Sequence, residues 1–149
     1  MIKTKVISAF PGTGKSWFFN NQDTFGAKVS DSDSSEFSWI EPGVRHPDFP
    51  NNYVQHIMSL IGEVDIIFVS SHEVVRNALK DAGITFTLLY PGIDSRDDYI
   101  ERFQQRGSPE AFIKLISDNW FNWIDDIQKD PYPFKVELPR GSYISDFLK

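Results

Sequence analysis

Residues 9–16 read Ala-Phe-Pro-Gly-Thr-Gly-Lys-Ser. Small residues followed by a lysine and a hydroxyl form the pattern of a phosphate-cradling loop, with alanine where the first glycine usually stands. Glycine lets the backbone turn its N–H groups inward toward an anion, and the start of a following helix adds partial positive charge. The loop Pro11, Gly12, Thr13, Gly14, Lys15 and Ser16 is therefore predicted to hold ATP. Lys15 would reach the β- and γ-phosphates, and the Ser16 hydroxyl would ligate Mg2+. A chance Gly-Lys-Ser turn is the competing reading. The context opposes it, because an apolar β-type run, Lys5–Phe10, precedes the loop and a helical stretch, Gly14–Asn20, follows it. Alanine at position 9 is tolerated if its φ stays negative.

Sixteen residues after Lys15 comes Asp31-Ser32-Asp33. In an extended segment two carboxylates two apart share a face. A strand is expected over Lys28–Ser30, and open α/β sheets bind ligands at the carboxyl ends of their strands. This pair is thus expected beside the phosphate loop. The competing reading is a simple turn, since Asp and Ser favour turns.

The loop Ala9–Ser16 and Asp31-Ser32-Asp33 together resemble the P-loop kinases of the nucleoside-monophosphate, shikimate and gluconate kinase kind. The short chain with its DSDSS run looks most like small nucleotide-kinase-like proteins of phages and prophages. The resemblance implies transfer of the γ-phosphate of ATP to a nucleoside or nucleoside monophosphate. It implies Asp31 in the magnesium shell and Asp33 orienting or deprotonating the acceptor hydroxyl. It also implies a lid near residues 96–110, in which Arg102 and Arg106 stabilise charge on the transferring group, and an acceptor-binding insert near residues 34–52. That insert carries Phe37, Trp39, Arg45 and His46, whose aromatics would sandwich a base or plug a core, and whose Arg45 would hold a phosphate. His72 would hydrogen-bond an acceptor or cap the next helix. Arg76 would meet an acceptor phosphate or be a solvated helix residue. Arg140 or Tyr143 would stack on adenine.

The elements that must position these groups alternate between short apolar runs and longer helical patterns, the signature of βαβ units. Asp65–Ser71 is the clearest buried strand, and Thr85–Tyr90 and Lys135–Leu138 are two more. Helical faces are predicted for Val54, Ile57, Met58 and Ile61, and for Val75, Ala78, Leu79 and Ala82. Another helix is capped by Ser95, contains Tyr99–Arg106 and is ended by Gly107. Ser108-Pro109-Glu110 opens a long helix with the core stripe Phe112, Leu115, Ile116, Trp120, Trp123, Ile124 and Ile127. Tyr143–Leu148 makes a terminal helical turn. The expected fold is α/β, a three-layer P-loop NTPase arrangement with a five-stranded parallel sheet in the order 2-3-1-4-5, as a single domain over residues 1–149. Asp65–Ser71 sits where ATPases carry an acidic residue after the strand, yet it ends in Ser-Ser-His. That speaks against a motor or switch ATPase.

Composition narrows the class further. The chain has 149 residues, 40% hydrophobic and 24% charged, and no cysteine. It therefore has no disulfide framework and no thiolate metal site. Net charge is −6, from 15 Lys and Arg against 21 Asp and Glu. A nucleic-acid binder usually shows a basic field, so the expected partner is a small-molecule acceptor and not nucleic acid. The short apolar start does not read as a signal peptide, and no run approaches the roughly 20 residues of a membrane span. The expected location is the cytoplasm of a bacterial or phage-infected cell. A kinase of another hydroxyl acceptor, such as a small metabolite or a modified base in DNA, and a non-catalytic nucleotide-binding module are the other readings. Oligomeric state is not legible.

Overall fold

The computed structural model describes residues 3–32, 39–41 and 44–148. Chain order runs β1 (Lys5–Ala9), α1 (Lys15–Asn20), a 3-10 turn (Gln22–Phe25), β2 (Val29–Asp31), β3 (Trp39–Glu41), β4 (Val44–Arg45) and α2 (Asn51–Leu60). It continues β5 (Ile66–Ser70), α3 (Glu73–Asp81), β6 (Thr87–Pro91), a second 3-10 turn (Ile93–Ser95), α4 (Arg96–Gln105), α5 (Glu110–Lys129), β7 (Phe134–Leu138) and α6 (Ile144–Phe147).

Five strands form one sheet in the order β2-β5-β1-β6-β7, with every pairing parallel. Numbered as the five sheet strands, this is 2-3-1-4-5, as expected. The order reverses beside β1, so the loop after β1 opens at the switch point where α/β sheets take their ligands. Successive strand residues face opposite sides of the sheet, and β1 feeds two cores accordingly. Val6 joins the face covered by α2, α3 and α5, with Phe10, Tyr53, Ile57, Leu79, Phe103 and Trp120. Ile7 joins the face covered by α1 and α6, with Phe18, Phe68, Leu89 and Ile144. All five residues of β5 are buried, as its unbroken apolar run requires of a central parallel strand.

Several boundaries differ from expectation. Strand β2 runs to Asp31, one residue beyond the expected end, because Asp31 pairs with Phe68 of β5. The segment 34–52, expected as an acceptor-binding insert, contains an antiparallel pair, β3 with β4, and the start of α2. Met58, Ile61 and Leu115, expected in the core, are about half exposed. The buried stripe of α2 is centred on Tyr53 and Ile57, and Met58 lies about 100° round the helix from Ile57. Ile61 stands past the helix end in extended backbone. Leu115 is displaced in the same way from the buried Ile116. Helix α4 stops at Gly107, whose φ of 76° lets the chain reverse and bond Ser108 N–H to the Phe103 carbonyl at 2.9 Å. Among the described residues no helix is long and apolar enough to cross a membrane.

Candidate functional site

The loop between β1 and α1 has the backbone its sequence calls for. Gly12 and Gly14 sit at φ 84° and 99°, in the left-handed region. A Cβ on Gly12 would meet the Phe103 and Tyr99 rings at 3.0 Å, and one on Gly14 the Tyr143 ring at 3.2 Å. Both positions therefore demand glycine for conformation and for space. Ala9 is buried and keeps a negative φ, so the missing first glycine costs nothing there. Thr13 is buried inside the loop, where its hydroxyl donates to the Phe10 carbonyl at 2.7 Å. Its own carbonyl accepts the Ile144 N–H at 2.8 Å and fastens the loop to α6.

An open cleft of about 760 Å³ lies over this loop. Gly12, Gly14, Lys15, Ser16, Asp31, His72, Arg102, Arg106 and Tyr143 line it together, drawn from five separate stretches of chain. Trp17, Ser70, Ser71, Gln105 and Phe112 line it as well. These five were not anticipated. Trp17 is 55% exposed, and an exposed tryptophan directly after the Gly-Lys-Ser was the signal available for it.

The carboxyl end of β2 is held by a hydrogen-bonded group that sequence reading did not single out. The Ser32 hydroxyl meets His56 Nε2 at 3.0 Å and the Ser30 hydroxyl at 2.9 Å. Tyr53, fully buried, donates its hydroxyl to the Ser32 carbonyl. Ser32 N–H donates to the Phe68 carbonyl at 3.0 Å. The strand end is thereby held at Ser30 and Ser32, the residues on either side of Asp31. Asp33 and Phe37 lie outside the described residues. Trp39 and Arg45 pair with each other across β3 and β4, and only their backbone is described.

Arg102 and Arg106 both line the cleft, but in different ways. Arg102 donates to the Gly12 carbonyl and the Ser142 carbonyl, each at 2.9 Å, and pairs with Asp98 at 3.2 Å. Its guanidinium lies 4.3 Å from the Tyr99 ring centre and 4.0 Å from that of Tyr143. This corrects the expectation of a lid arginine reaching over a phosphoryl group, because both terminal nitrogens are tied down by the Gly12 and Ser142 carbonyls and Asp98. Arg106 is exposed, lies over Phe103 and donates to the Ser108 hydroxyl at 3.0 Å. The Tyr99 hydroxyl is buried and makes no hydrogen bond among the described residues. Burial, opposed in smaller measure by the Arg102 charge, pushes its phenol up to about 12, so it stays protonated.

Arg76 requires a second correction. It is only 4% exposed, so it is not a solvated helix residue. Its Nε donates to the Ser71 carbonyl at 2.9 Å, and its two terminal nitrogens bond Asp126 and Asp130 of the α5 end. Three of its five N–H donors are thus taken, and its charge is shared by two carboxylates inside the protein, so it is held as an internal tie and not presented to an acceptor phosphate. His72 is the N-cap residue of α3 but makes no side-chain cap bond, which removes the capping alternative. Its ring stands edge-on to Trp123 at 6.4 Å. Arg140 is exposed on the turn after β7 and does not line the cleft, whereas Tyr143 does.

The donor set suits a nucleotide with magnesium. Ser16 and Asp31 offer hard oxygen ligands beside Lys15, and Mg2+ typically takes one or two protein oxygens plus phosphates and water. Among the described residues no group of three or more His, Cys, Asp or Glu could hold a metal alone.

No family model matches the chain, and no curated protein matches it in sequence. Among solved structures, the fold is similar to that of the Deinococcus radiodurans tunicamycin resistance protein. The likeness has a TM-score of 0.61 at 14% identity and covers 99% of this chain and 92% of that one. At that identity it is a likeness of fold, the P-loop kinase-like three-layer α/β arrangement, and does not extend to phage proteins in particular.

Proposed function

We propose that this chain is a phosphotransferase that passes the γ-phosphate of ATP to the hydroxyl of a small acceptor, a nucleoside or a nucleoside monophosphate. One observation carries the reading. A single cleft gathers Lys15, Ser16, Asp31 and Arg106 at the carboxyl ends of β1, β2 and the helix beyond β6. Phosphoryl transfer needs little covalent chemistry from a protein, only positioning and positive charge where the transition state spreads its negative charge.

In this reading the loop N–H groups and Lys15 hold the β- and γ-phosphates. Ser16 and Asp31 would hold the magnesium ion, which neutralises phosphate charge when bound. The acceptor oxygen attacks the γ-phosphorus as the bond to the bridging oxygen of ADP breaks. The acceptor's proton passes to a carboxylate, a role that the resemblance to P-loop kinases implies for Asp33. Arg106 faces the transferring group.

The test is ADP release with a panel of nucleosides and nucleoside monophosphates, including deoxy forms. Lys15→Ala is expected to abolish acceptor-dependent release while leaving the melting temperature close to that of the parent. Comparable turnover in the variant would remove the proposed site.

A further inference from the structure

A second cavity of about 300 Å³ opens beside the nucleotide cleft and shares Pro11, Ser71 and His72 with it. It lies between the start of α3 and the middle of α5. Phe10, Pro11 and Trp123 give it apolar walls, and Glu73, Arg76 and Asp126 give it a polar side. Its size is at the lower end for small-ligand sites, enough for a ring and a sugar.

The charge of this cavity is unusual for a place meant to receive a phosphate. Arg76 is its one cation, and that charge is already spent on Asp126 and Asp130, two carboxylates against one guanidinium. Glu73 adds a further carboxylate at the rim, exposed and in the first turn of α3. The wall is therefore net negative. A phosphate dianion brought there would lose its hydration against like charge, while the one guanidinium nearby is buried and already neutralised by two carboxylates. An uncharged nucleoside brings no charge against that wall and would gain apolar contact with Trp123. Like-charge walls of this kind exclude one ligand as effectively as contacts select another.

We infer that this cavity is the acceptor subsite, and that the acceptor is an unphosphorylated nucleoside and not a nucleoside monophosphate. The inference rests on the phosphotransferase reading and narrows it. The shared residues Ser71 and His72 mark where the acceptor hydroxyl would meet the γ-phosphate. His72, edge-on to Trp123, would border both ligands.

The experiment measures ADP release at saturating ATP and magnesium with each common nucleoside and, in parallel, its 5′-monophosphate. Each accepted nucleoside is expected to exceed its monophosphate in kcat/KM by about tenfold or more, the scale of one unfavourable close charge contact. Trp123→Ala is expected to raise the nucleoside KM by about tenfold, a lost aromatic contact, with the ATP KM held within about twofold. Glu73→Lys, on an exposed position that should not disturb folding, is expected to move the preference toward the monophosphate. Preference for monophosphates by the parent protein would overturn the inference and leave the phosphotransferase reading intact. An unchanged preference in Glu73→Lys would show that the acceptor does not use this cavity. Refusal of every probe, with ATP still bound, would overturn the nucleoside assignment and the phosphotransferase reading together.

Discussion

At the scale of single residues, the two lid arginines separate cleanly. The structure gives Arg102 the work of a strap. It grips the Gly12 and Ser142 carbonyls and is sandwiched by Tyr99 and Tyr143. Removing it would loosen the phosphate loop. Among the described residues Arg106 bonds a serine hydroxyl, lies over Phe103 and keeps an exposed position on the cleft, which in the proposed reading leaves its charge for the phosphoryl group. Arg102→Ala is expected to raise the ATP KM and lower the melting temperature, with the larger effect on binding. Arg106→Ala is expected to lower kcat by about 10²-fold or more, the scale of a lost transition-state donor, with the ATP KM nearly kept. Steady-state kinetics of both variants check the split, and equal effects on kcat would refute it. Sequence gave the presence and spacing of these arginines but not their partners. The Gly12 carbonyl lies ninety residues away in the chain, and only the fold brings it within reach.

At the scale of elements, the parallel strands were readable because buried strands are continuous apolar runs, and Asp65–Ser71 is one. The phosphate loop was readable because its glycines answer a backbone demand. What escaped was the way neighbouring elements are bolted together. The helix carrying Arg76 looked amphipathic with a polar arginine, yet that arginine points inward to join α3 to α5 through Asp126 and Asp130. Nothing in local periodicity marks a charge as buried, because its partners lie fifty and fifty-four residues on. The same holds for Tyr53 and His56 of α2, which secure the end of β2 across residues that sequence patterning treats as a loop. Breaking a buried pair leaves an uncompensated charge. Arg76→Ala strands Asp130, which is 14% exposed, while Asp126, 46% exposed, can regain water. The expected cost is about 3 kcal/mol, the low end for such a loss. Denaturant unfolding of the variant checks it, and a change below about 1 kcal/mol, the range of a surface pair, would contradict a structural role.

At the scale of the whole molecule, charge is the property that discriminates among acceptors. A protein that follows a nucleic-acid backbone neutralises many phosphates and releases their counterions, so its binding falls steeply with salt. This chain carries a net −6, and the cavity beside its cleft is itself walled by carboxylates. Among the cations lining the nucleotide cleft, Lys15, Arg102 and Arg106, Arg102 is already bound to backbone and aspartate. Too little positive surface converges there to hold a polyanion, while one lysine and one arginine suffice for the phosphates of a single ATP. Activity on a free nucleoside is therefore expected to fall by less than about threefold between 50 and 200 mM salt, where a protein making several phosphate contacts would lose ~10³-fold. Single- and double-stranded DNA are expected to be refused at both salt concentrations. A salt series of initial rates, run beside a radiolabel-transfer assay on both kinds of DNA, decides the matter. Label on DNA, with free nucleosides left untouched, would mean that the acceptor is recognised through contacts other than the cleft and cavity described, because neither has the charge to hold a strand.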